Sequence, residues 1–212
     1  MHGGTIRASG IFPLDGYLVE VATTELREEW EERKKKDNTG GGVQAWQTPA
    51  TFENIHFKDL LLDGNYSAGG ILLLNALRTT ISNCYFMHFA KSSVGINVQG
   101  GHETLIHHSF LGQHITSGAD PLESSFSGTA ILLAGNDNAV TDVVIFSAAI
   151  GVEIAGQANI ITGTTTHIIY LCAYSFNLIT LKTFHITFYQ FVHIYRYILF
   201  CSFHHNLINT CK

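Results

Sequence analysis

One short pattern recurs four times between residues 70 and 163, and it constrains the fold more than any other feature of the sequence. The copies begin at Gly70, Gly95, Ala130 and Gly151, so successive copies start 25, 35 and 21 residues apart. Each begins with a small residue followed by aliphatic residues at alternate positions, and a period of about 20 to 25 residues of this kind is typical of stacked repeats. The longer step contains an insertion at residues 112–127.

Each copy also carries a second apolar segment after a polar turn. These segments are residues 81–86, 106–111, 140–146 and 160–161. None has the 3.6-residue periodicity of a helix, and Gly, Asn, Asp and Ser fill the connections, as turns require. Each repeat is therefore predicted to be a strand, a turn, a second strand and a turn.

This repeat predicts an all-β protein with a parallel β-helix, in which every repeat is one coil stacked on the preceding coil. A leucine-rich repeat would need a helix-forming half, which is missing, and a β-sandwich would lack the register between copies. Alternation along each strand sends successive side chains to opposite faces. The predicted inward residues are Ile71, Leu73, Ile96, Val98, Ile131, Leu133, Val152 and Ile154, and the outward residues are Leu72, Asn97, Leu132 and Glu153.

We expect coils over residues 1–163, interrupted by a charged and flexible insertion at residues 24–42. Residues 3–8 and 17–21 already have the composition of coil strands. The mixed charges of residues 24–37 predict a short solvated helix with ion pairs at i,i+4 spacing. Its Glu residues neutralise the basic run at residues 33–36, so no nucleic-acid partner is expected.

The segment 164–212 has a different composition. It holds no Asp or Glu, its only charged residues are Lys182, Arg196 and Lys212, and it is crowded with aromatic residues and His. We expect the coil register to stop at Gly163 and the segment to be poorly structured rather than a domain. An intron read as protein is favoured over a membrane helix at residues 181–200, because charged and polar residues interrupt that stretch.

Length and cysteine content add further expectations. The 212 residues predict one domain. Only Cys84 of the four cysteines lies in the repeats, where it is expected to be a buried thiol rather than part of a disulfide framework. The first residues lack the basic start and apolar run of a signal peptide, so the sequence as written does not predict secretion. We expect a monomeric protein that binds no cofactor and no metal ion and does not associate with a membrane.

Five short runs within the repeats resemble those of plant quartet-type polygalacturonases, within the wider pectate-lyase superfamily. The likeness covers residues 52–163 well and residues 3–21 loosely, and the family continues with further coils, so the chain resembles a fragment cut at both ends. The resemblance implies a right-handed, single-stranded parallel β-helix, secretion to the cell wall and action on pectin. The runs are His102-Glu103-Thr104, Phe110-Leu111-Gly112-Gln113-His114, Phe126 to Ile131, Asn136 to Asp142 and Gly156-Gln157-Ala158-Asn159.

The chain departs from the polygalacturonase pattern where the family carries its chemistry. Members carry aspartates just before a Gly-Ile strand, as Asn-Thr-Asp-Gly-Ile and Gly-Asp-Asp, and add Gly-His-Gly and Arg-x-Lys. The matching places here hold Ser-Ser-Val at residues 92–94 and Ser-Gly-Thr at residues 127–129. Arg-x-Lys is absent, and Gly-His-Glu at residues 101–103 is a partial echo. These departures concern the hydrolytic mechanism more than the fold.

Glycoside hydrolysis needs two carboxyl groups. The repeat predicts a first candidate site, which pairs a histidine with one carboxyl group. His102 and Asp137 are 35 residues apart, the offset of Ile96 and Ile131, which predicts neighbouring coils about 4.8 Å apart. Glu103, Asn138 and Asn159 are predicted to stack in the same way. This row is either a structural ladder, in which Asn and Asp bond the next coil, or a His–carboxylate pair beside a groove.

The insertion supplies three further candidates, His114, Asp120 and Glu123, because loops on a rigid scaffold often carry function. Outside the insertion, His107 and His108 are expected to point to opposite faces of a strand, which argues against a shared metal ion. The catalytic hypotheses are Asp120, Glu123, Asp137 and His102, and the substrate-binding hypotheses are Asn97, His114 and Glu153.

Positive charge is scarce in the repeats, where the only basic residues from 52 to 163 are Lys58, Arg78 and Lys91. A protein that binds a polyanion such as pectate normally carries more positive charge than this. Either further coils supply that charge or the ligand is a less charged glycan. The leading hypothesis is a polygalacturonase-like hydrolase of homogalacturonan, inactive as this fragment. The alternatives are a Ca²⁺-dependent pectate lyase and a non-catalytic, glycan-binding β-helix.

Overall fold

A computed structural model describes residues 2–13, 15–37, 46–90, 93–112, 128–173, 180–182 and 185–186. The strands pair in parallel between successive coils, so the predicted parallel β-helix is confirmed. In chain order the elements are β1 (His2–Arg7), β2 (Tyr17–Val21), α1 (Thr24–Asp37), β3 (His56–Asp63), β4 (Gly69–Leu74), β5 (Thr80–Ser82), β6 (Tyr85–Met87), β7 (Val94–Gln99), β8 (Leu105–His107), β9 (Phe110–Leu111), β10 (Thr129–Leu133), β11 (Ala139–Thr141), β12 (Val144–Ile154), β13 (Ile160–Thr162), β14 (Thr165–Ala173), β15 (Thr180–Lys182) and β16 (His185–Ile186).

The coils present three faces. The first face is formed by β2, β4, β7, β10 and the C-terminal parts of β12 and β14. The second face runs through the start of β3, then β5, β8, β11, β13 and β15. The third face contains β1, the end of β3, β6, β9, the starts of β12 and β14, and β16. The long strands β3, β12 and β14 each serve two faces.

The inward stack on the first face forms as the repeat predicts. Ile71 pairs in register with Ile96, Ile96 with Ile131, and Ile131 with Val152. All eight predicted inward residues are at most 1% exposed. They join one hydrophobic core that also contains aromatic side chains from the third face, including Phe86.

The second apolar segment of each repeat is two strands rather than one, which the sequence did not reveal. A residue in the left-handed region separates them in successive coils: Asn83 (φ 50°), His108 (φ 49°) and Asp142 (φ 52°). Asn and Asp tolerate this conformation better than most residues. The bend turns the chain from the second face to the third, and this adds a third strand to each coil.

Helix α1 is present as predicted, but one side of it is buried rather than solvated. Leu26 and Trp30, which are four residues apart, pack against Leu72 and Leu74 on the outside of the first face. The same side carries the expected i,i+4 pair, in which Arg33 Nη2 lies 2.6 Å from Glu29 Oε1 and both side chains are less than 20% exposed. The helix therefore covers the outer surface of β4.

Glu29 fastens this helix to the chain that follows the insertion. Its carboxylate accepts hydrogen bonds from the backbone N–H groups of Gln47 (2.8 Å) and Thr48 (3.0 Å) and from Arg33. Burial acts to raise the pKa of Glu29, but these donors outweigh burial and lower the pKa to about 2. The folded protein thus stabilises the ionised form of Glu29.

Strand pairing continues past Gly163, where the sequence analysis expects the coil register to stop. Thr165 pairs with Val144, and Ile161 pairs with Leu181. Backbone pairing uses N–H and C=O groups that every non-proline residue has, so it does not require the composition of the earlier coils. Within the described part of the chain, no helix has the length and apolar character needed to cross a membrane.

The inward stack gives a direct test of the fold. We expect Ile96→Asp to unfold the domain, because an unpaired buried charge destabilises a protein by several kcal/mol. The control is Ile160→Asp, since Ile160 is 45% exposed and needs no such desolvation. Circular dichroism and thermal melting compare the two. An unchanged melting curve for Ile96→Asp would contradict the stack.

The Glu29 contacts predict a pH dependence. A carboxyl group with a lowered folded-state pKa stabilises the fold above its unfolded pKa and loses that contribution as pH falls through the folded pKa. The stability from Glu29 should therefore disappear between about pH 4.5 and pH 2. Glu29→Gln should lower the melting temperature at pH 6 and lose less stability than the parent over this window. Glu28→Gln, on the same helix, is the matched control.

Candidate functional site

The outward row of the first face contains Leu72, Asn97, Leu132 and Glu153, aligned by strand register. The row starts at the exposed Glu20, which forms an ion pair with Arg27 of α1. Leu72 is fully buried beneath α1, whereas Leu132 and Glu153 are only partly buried. Beyond α1, the accessible part of this row is therefore formed by β10 and β12.

Asn97 is covered by an aromatic side chain, although its outward direction was predicted correctly. Its Nδ2 donates to the Tyr17 hydroxyl at 2.8 Å, its Oδ1 accepts from Gln99 Nε2 at 2.7 Å, and it is 3% exposed. Burial raises the pKa of Tyr17, against the lowering effect of the hydrogen bond from Asn97. Asn97 is thus engaged within the protein and does not face solvent as a substrate-binding residue would.

Glu153 is a partly buried carboxyl group at the accessible end of the row. Thr129 Oγ1 donates to Glu153 Oε2 at 3.3 Å from the neighbouring strand. Burial raises the pKa of Glu153, and the hydrogen bond from Thr129 opposes this effect. A carboxyl group with a raised pKa can hold a proton where an exposed one cannot, which is the property of a general acid.

Three predicted site residues belong to the insertion. Asp120, Glu123 and His114 lie outside the described residues, so their roles stay predictions. The described chain on either side ends at Gly112, just after β9, and resumes at Gly128, just before β10. The insertion thus connects the third face to the strand that carries Leu132.

His102 and Asp137 meet as predicted, but in a different register. Backbone pairing joins His102 to Asn136 rather than to Asp137. The side chains still meet diagonally, with His102 Nδ1 3.1 Å from Asp137 Oδ2, and both are about half exposed. The shift arises because the turn containing Gly100 and Gly101, both at φ 72°, has one residue more than the matching turn in the next coil.

Because of the same shift, Glu103 does not stack on Asn138 as predicted. Asn138 instead lies beside Thr104, whose N–H donates to Asn138 Oδ1 at 2.9 Å. The next step is as predicted, since Asn138 Nδ2 donates to Asn159 Oδ1 at 2.9 Å. Asn138 and Asn159 are at most 1% exposed. This inner row is a structural ladder, while the outer His102–Asp137 pair remains accessible.

Arg78 is neutralised by the carboxylates of adjacent coils. It forms ion pairs with Glu53 and, at 2.9 Å, with Glu103. Its charge is therefore shared with two carboxylates before any ligand binds. The described residues consequently offer even less free positive charge than the sequence suggests.

The prediction that His107 and His108 point apart is wrong. Their Nδ1 atoms lie 2.6 Å from each other, because His108 adopts the left-handed conformation (φ 49°) and leaves the pleat of β8. Burial and the neighbouring His108 lower the pKa of His107, whereas Asp142 raises it. Among the described residues, no group of three or more His, Cys, Asp or Glu side chains is arranged to hold a metal ion.

The structure contains a second His–carboxylate pair that was not predicted from the sequence. Asp63 Oδ1 lies 3.0 Å from His88 Nδ1, and Arg7 Nε lies 3.3 Å from Asp63 Oδ2. The two partners are 25 residues apart, which is the spacing of the repeat, so the period itself could have identified them. Asp63 is 7% exposed, which fits a structural role between coils.

Comparison with known proteins identifies one curated relative. Over 163 residues, or 77% of this chain, the sequence is 50% identical to Polygalacturonase QRT3 of Arabidopsis thaliana. The chain spans 30% of the length of that relative. No protein-family model matches the chain, and no solved structure matches it significantly. The resemblance to plant quartet-type polygalacturonases is confirmed.

The environment of Glu153 predicts a stabilising substitution. A carboxyl group with a raised folded-state pKa favours folding only while it is protonated, so stability falls as pH rises from the unfolded pKa to the folded pKa. Glu153→Gln should therefore melt at a higher temperature than the parent at neutral pH, with the difference vanishing below about pH 4.

The control for this prediction is Glu103→Gln, which removes an exposed ion pair worth at most about 1 kcal/mol and should not raise the melting temperature. Differential scanning calorimetry at several pH values makes the measurement. A destabilised Glu153→Gln variant at neutral pH would show that the fold holds Glu153 in its charged form.

Proposed function

We propose that this chain, as a relative of a plant polygalacturonase, acts on pectin at the plant cell wall. The observation that carries the proposal is the 50% identity over 163 residues, a stretch long enough to span most of the chain. The fold supports the proposal, because the first face leaves an open stretch at Leu132 and Glu153 that a polysaccharide can contact. The reaction proposed is hydrolysis of homogalacturonan.

Two carboxyl groups are needed for that hydrolysis. Glu153 is the candidate general acid, since its partial burial favours the protonated form. The second group would come from Asp120 or Glu123, which precede β10, or from Asp137, which follows it. In the sequence, these candidates lie on either side of β10.

Asp137 and His102 would act together in this arrangement. Their contact at 3.1 Å fixes the orientation of an exposed imidazole beside a carboxylate. Such a pair can hold or transfer a proton beside a bound glycan. His114 of the insertion is proposed to contact substrate as well.

The charge of these coils favours weakly charged stretches of pectin. Arg78 is already paired with Glu53 and Glu103, and the chain has a formal net charge of −5. A fully ionised galacturonan would be repelled by such a surface. We propose that this segment contacts partly methyl-esterified galacturonan, in which many carboxylates are neutral.

A non-catalytic, glycan-binding β-helix is the second candidate. The observation in its favour is the replacement of the aspartates that polygalacturonases carry before the Gly-Ile strand by Ser and Thr at residues 92–94 and 127–129. Binding without turnover would identify this function. Calcium-dependent release of unsaturated product would instead identify a pectate lyase.

The catalytic assignment predicts the behaviour of four variants, Asp120→Asn, Glu123→Gln, Asp137→Asn and Glu153→Gln. At least one should lose about 100-fold or more in hydrolysis rate, which is the usual effect of removing an acid or a base. Reducing-end release from polygalacturonate and from methyl-esterified pectin measures the rate, in this chain and in any longer natural form that contains it.

Asp142→Asn is the matched control, because Asp142 is an exposed carboxylate on the turn between the second and third faces. It should keep the parent rate. If all four candidate variants also keep it, the catalytic carboxylates lie elsewhere. If the longer natural form binds oligogalacturonides but releases no product from either substrate, the non-catalytic function is the correct one.

A further inference from the structure

One motif in the chain takes no part in the proposed hydrolysis. Asn65-Tyr66-Ser67 is the only place in the 212-residue sequence where Asn is followed two positions later by Ser or Thr. With a residue other than Pro between them, this is the acceptor pattern for an N-linked glycan. The pattern is short, so its structural setting decides whether it can be used.

The motif lies in the turn between β3 and β4, which carries the chain from the third face to the first. Asn65 and Tyr66 both adopt left-handed backbone conformations, with φ angles of 47° and 57°. Asn65 and Ser67 are partly exposed, and no strand pairing involves either residue. A substituent on Asn65 can therefore extend into solvent without breaking the stack of coils.

The contacts of Asn65 leave its reactive atom out of the turn. The Asn65 backbone N–H donates to Asp63 Oδ1 at 2.9 Å, and its side-chain Oδ1 accepts from Arg7 Nη2 at 2.9 Å at the protein surface. A glycan is attached through Nδ2, which takes part in neither bond. The contact with Arg7 and the glycan are thus compatible.

The neighbouring charges hold the turn in place. Asp63 binds Arg7 through one carboxylate oxygen and His88 through the other, while Ser67 Oγ donates to the Gly64 carbonyl at 3.2 Å. These contacts join the turn to the adjacent coils on both sides. The acceptor therefore sits on a fixed support rather than on a free loop.

We propose that Asn65 is an N-glycosylation site, used when the chain passes through the secretory pathway. The inference rests on the extracellular location in the proposed function. In the reaction, Nδ2 forms a bond to the anomeric carbon of a lipid-pyrophosphate-linked oligosaccharide. The bond from that carbon to the pyrophosphate breaks, the lipid pyrophosphate leaves, and the amide gives up one proton.

The position of the glycan separates it from the candidate active site. The turn leads into β4, whose outer surface α1 already covers through Leu72 and Leu74. Glu153 lies three coils further along the same face, through β7, β10 and β12. The glycan would therefore cover the side of the coils next to the helix and leave the accessible end of the first face open.

The experiment places a cleavable secretion signal before the full chain and translates it with microsomes that carry out N-glycosylation. The parent and Ser67→Thr, which keeps the motif, should each gain one glycan that endoglycosidase H removes. Asn65→Gln and Ser67→Ala should gain none. Mass spectrometry of the tryptic peptide assigns the modified residue.

A positive control makes a negative result decisive. Tyr85→Thr creates a new acceptor motif at Asn83, which is exposed and, like Asn65, adopts the left-handed conformation. If Asn83 is modified in that variant while Asn65 is not, the chain has entered the microsomes and the proposal is overturned. Because the added signal directs the chain, this outcome is independent of pectin hydrolysis and of the natural location.

Discussion

Parallel backbone hydrogen bonding between successive coils is the constraint on which the rest of this structure depends. On the first face, β4, β7, β10 and β12 pair in register, so equivalent residues stand one above another. The stack of Ile71, Ile96, Ile131 and Val152 follows directly from that register. A coil cannot bury its own apolar side, so each one is stabilised mainly by its two neighbours.

The same register acts on the turns and thereby on the candidate chemistry. Asn54, Arg78, Glu103, Asp137 and Ala158 occupy equivalent left-handed positions in successive coils. Their side chains are forced into close rows, which accounts for the ion pairs of Arg78 and for the contact of Asp137 with His102. Beneath them, Asn138 and Asn159 satisfy buried backbone groups of the neighbouring coil, and an unsatisfied buried group would destabilise the fold by about 1–3 kcal/mol.

The outer side of the first face is divided into two parts. Helix α1 covers β4 with Leu26 and Trp30, and Tyr17 covers Asn97. Beyond them, Leu132 and Glu153 stay partly accessible. A polysaccharide that approaches this face therefore meets a short open stretch with a partly buried carboxyl group and little free positive charge.

A structural feature could be predicted from the sequence when the pattern that specifies it lies among neighbouring residues. Alternation and period are properties of neighbouring residues, so the inward stack and the strands on the first face could be read directly. The split of residues 81–86 into two strands could not, because a single left-handed residue such as Asn83 leaves the apolar pattern almost unchanged. The strand pairing beyond Gly163 could not be predicted either, because backbone N–H and C=O groups form hydrogen bonds without a sequence signature.

The candidate site shows the same division. The sequence by itself determined the parallel β-helix and the meeting of His102 with Asp137, because one repeat period fixes both, and its five short runs determined the resemblance to plant polygalacturonases. Only the tertiary structure decided that Asp137 meets His102 diagonally, that His107 contacts His108, and that Asn97 is covered while Glu153 is not. These outcomes depend on one residue gained in a turn, one left-handed φ angle and one helix folding back onto a strand, and such contacts between distant segments leave no period in the sequence.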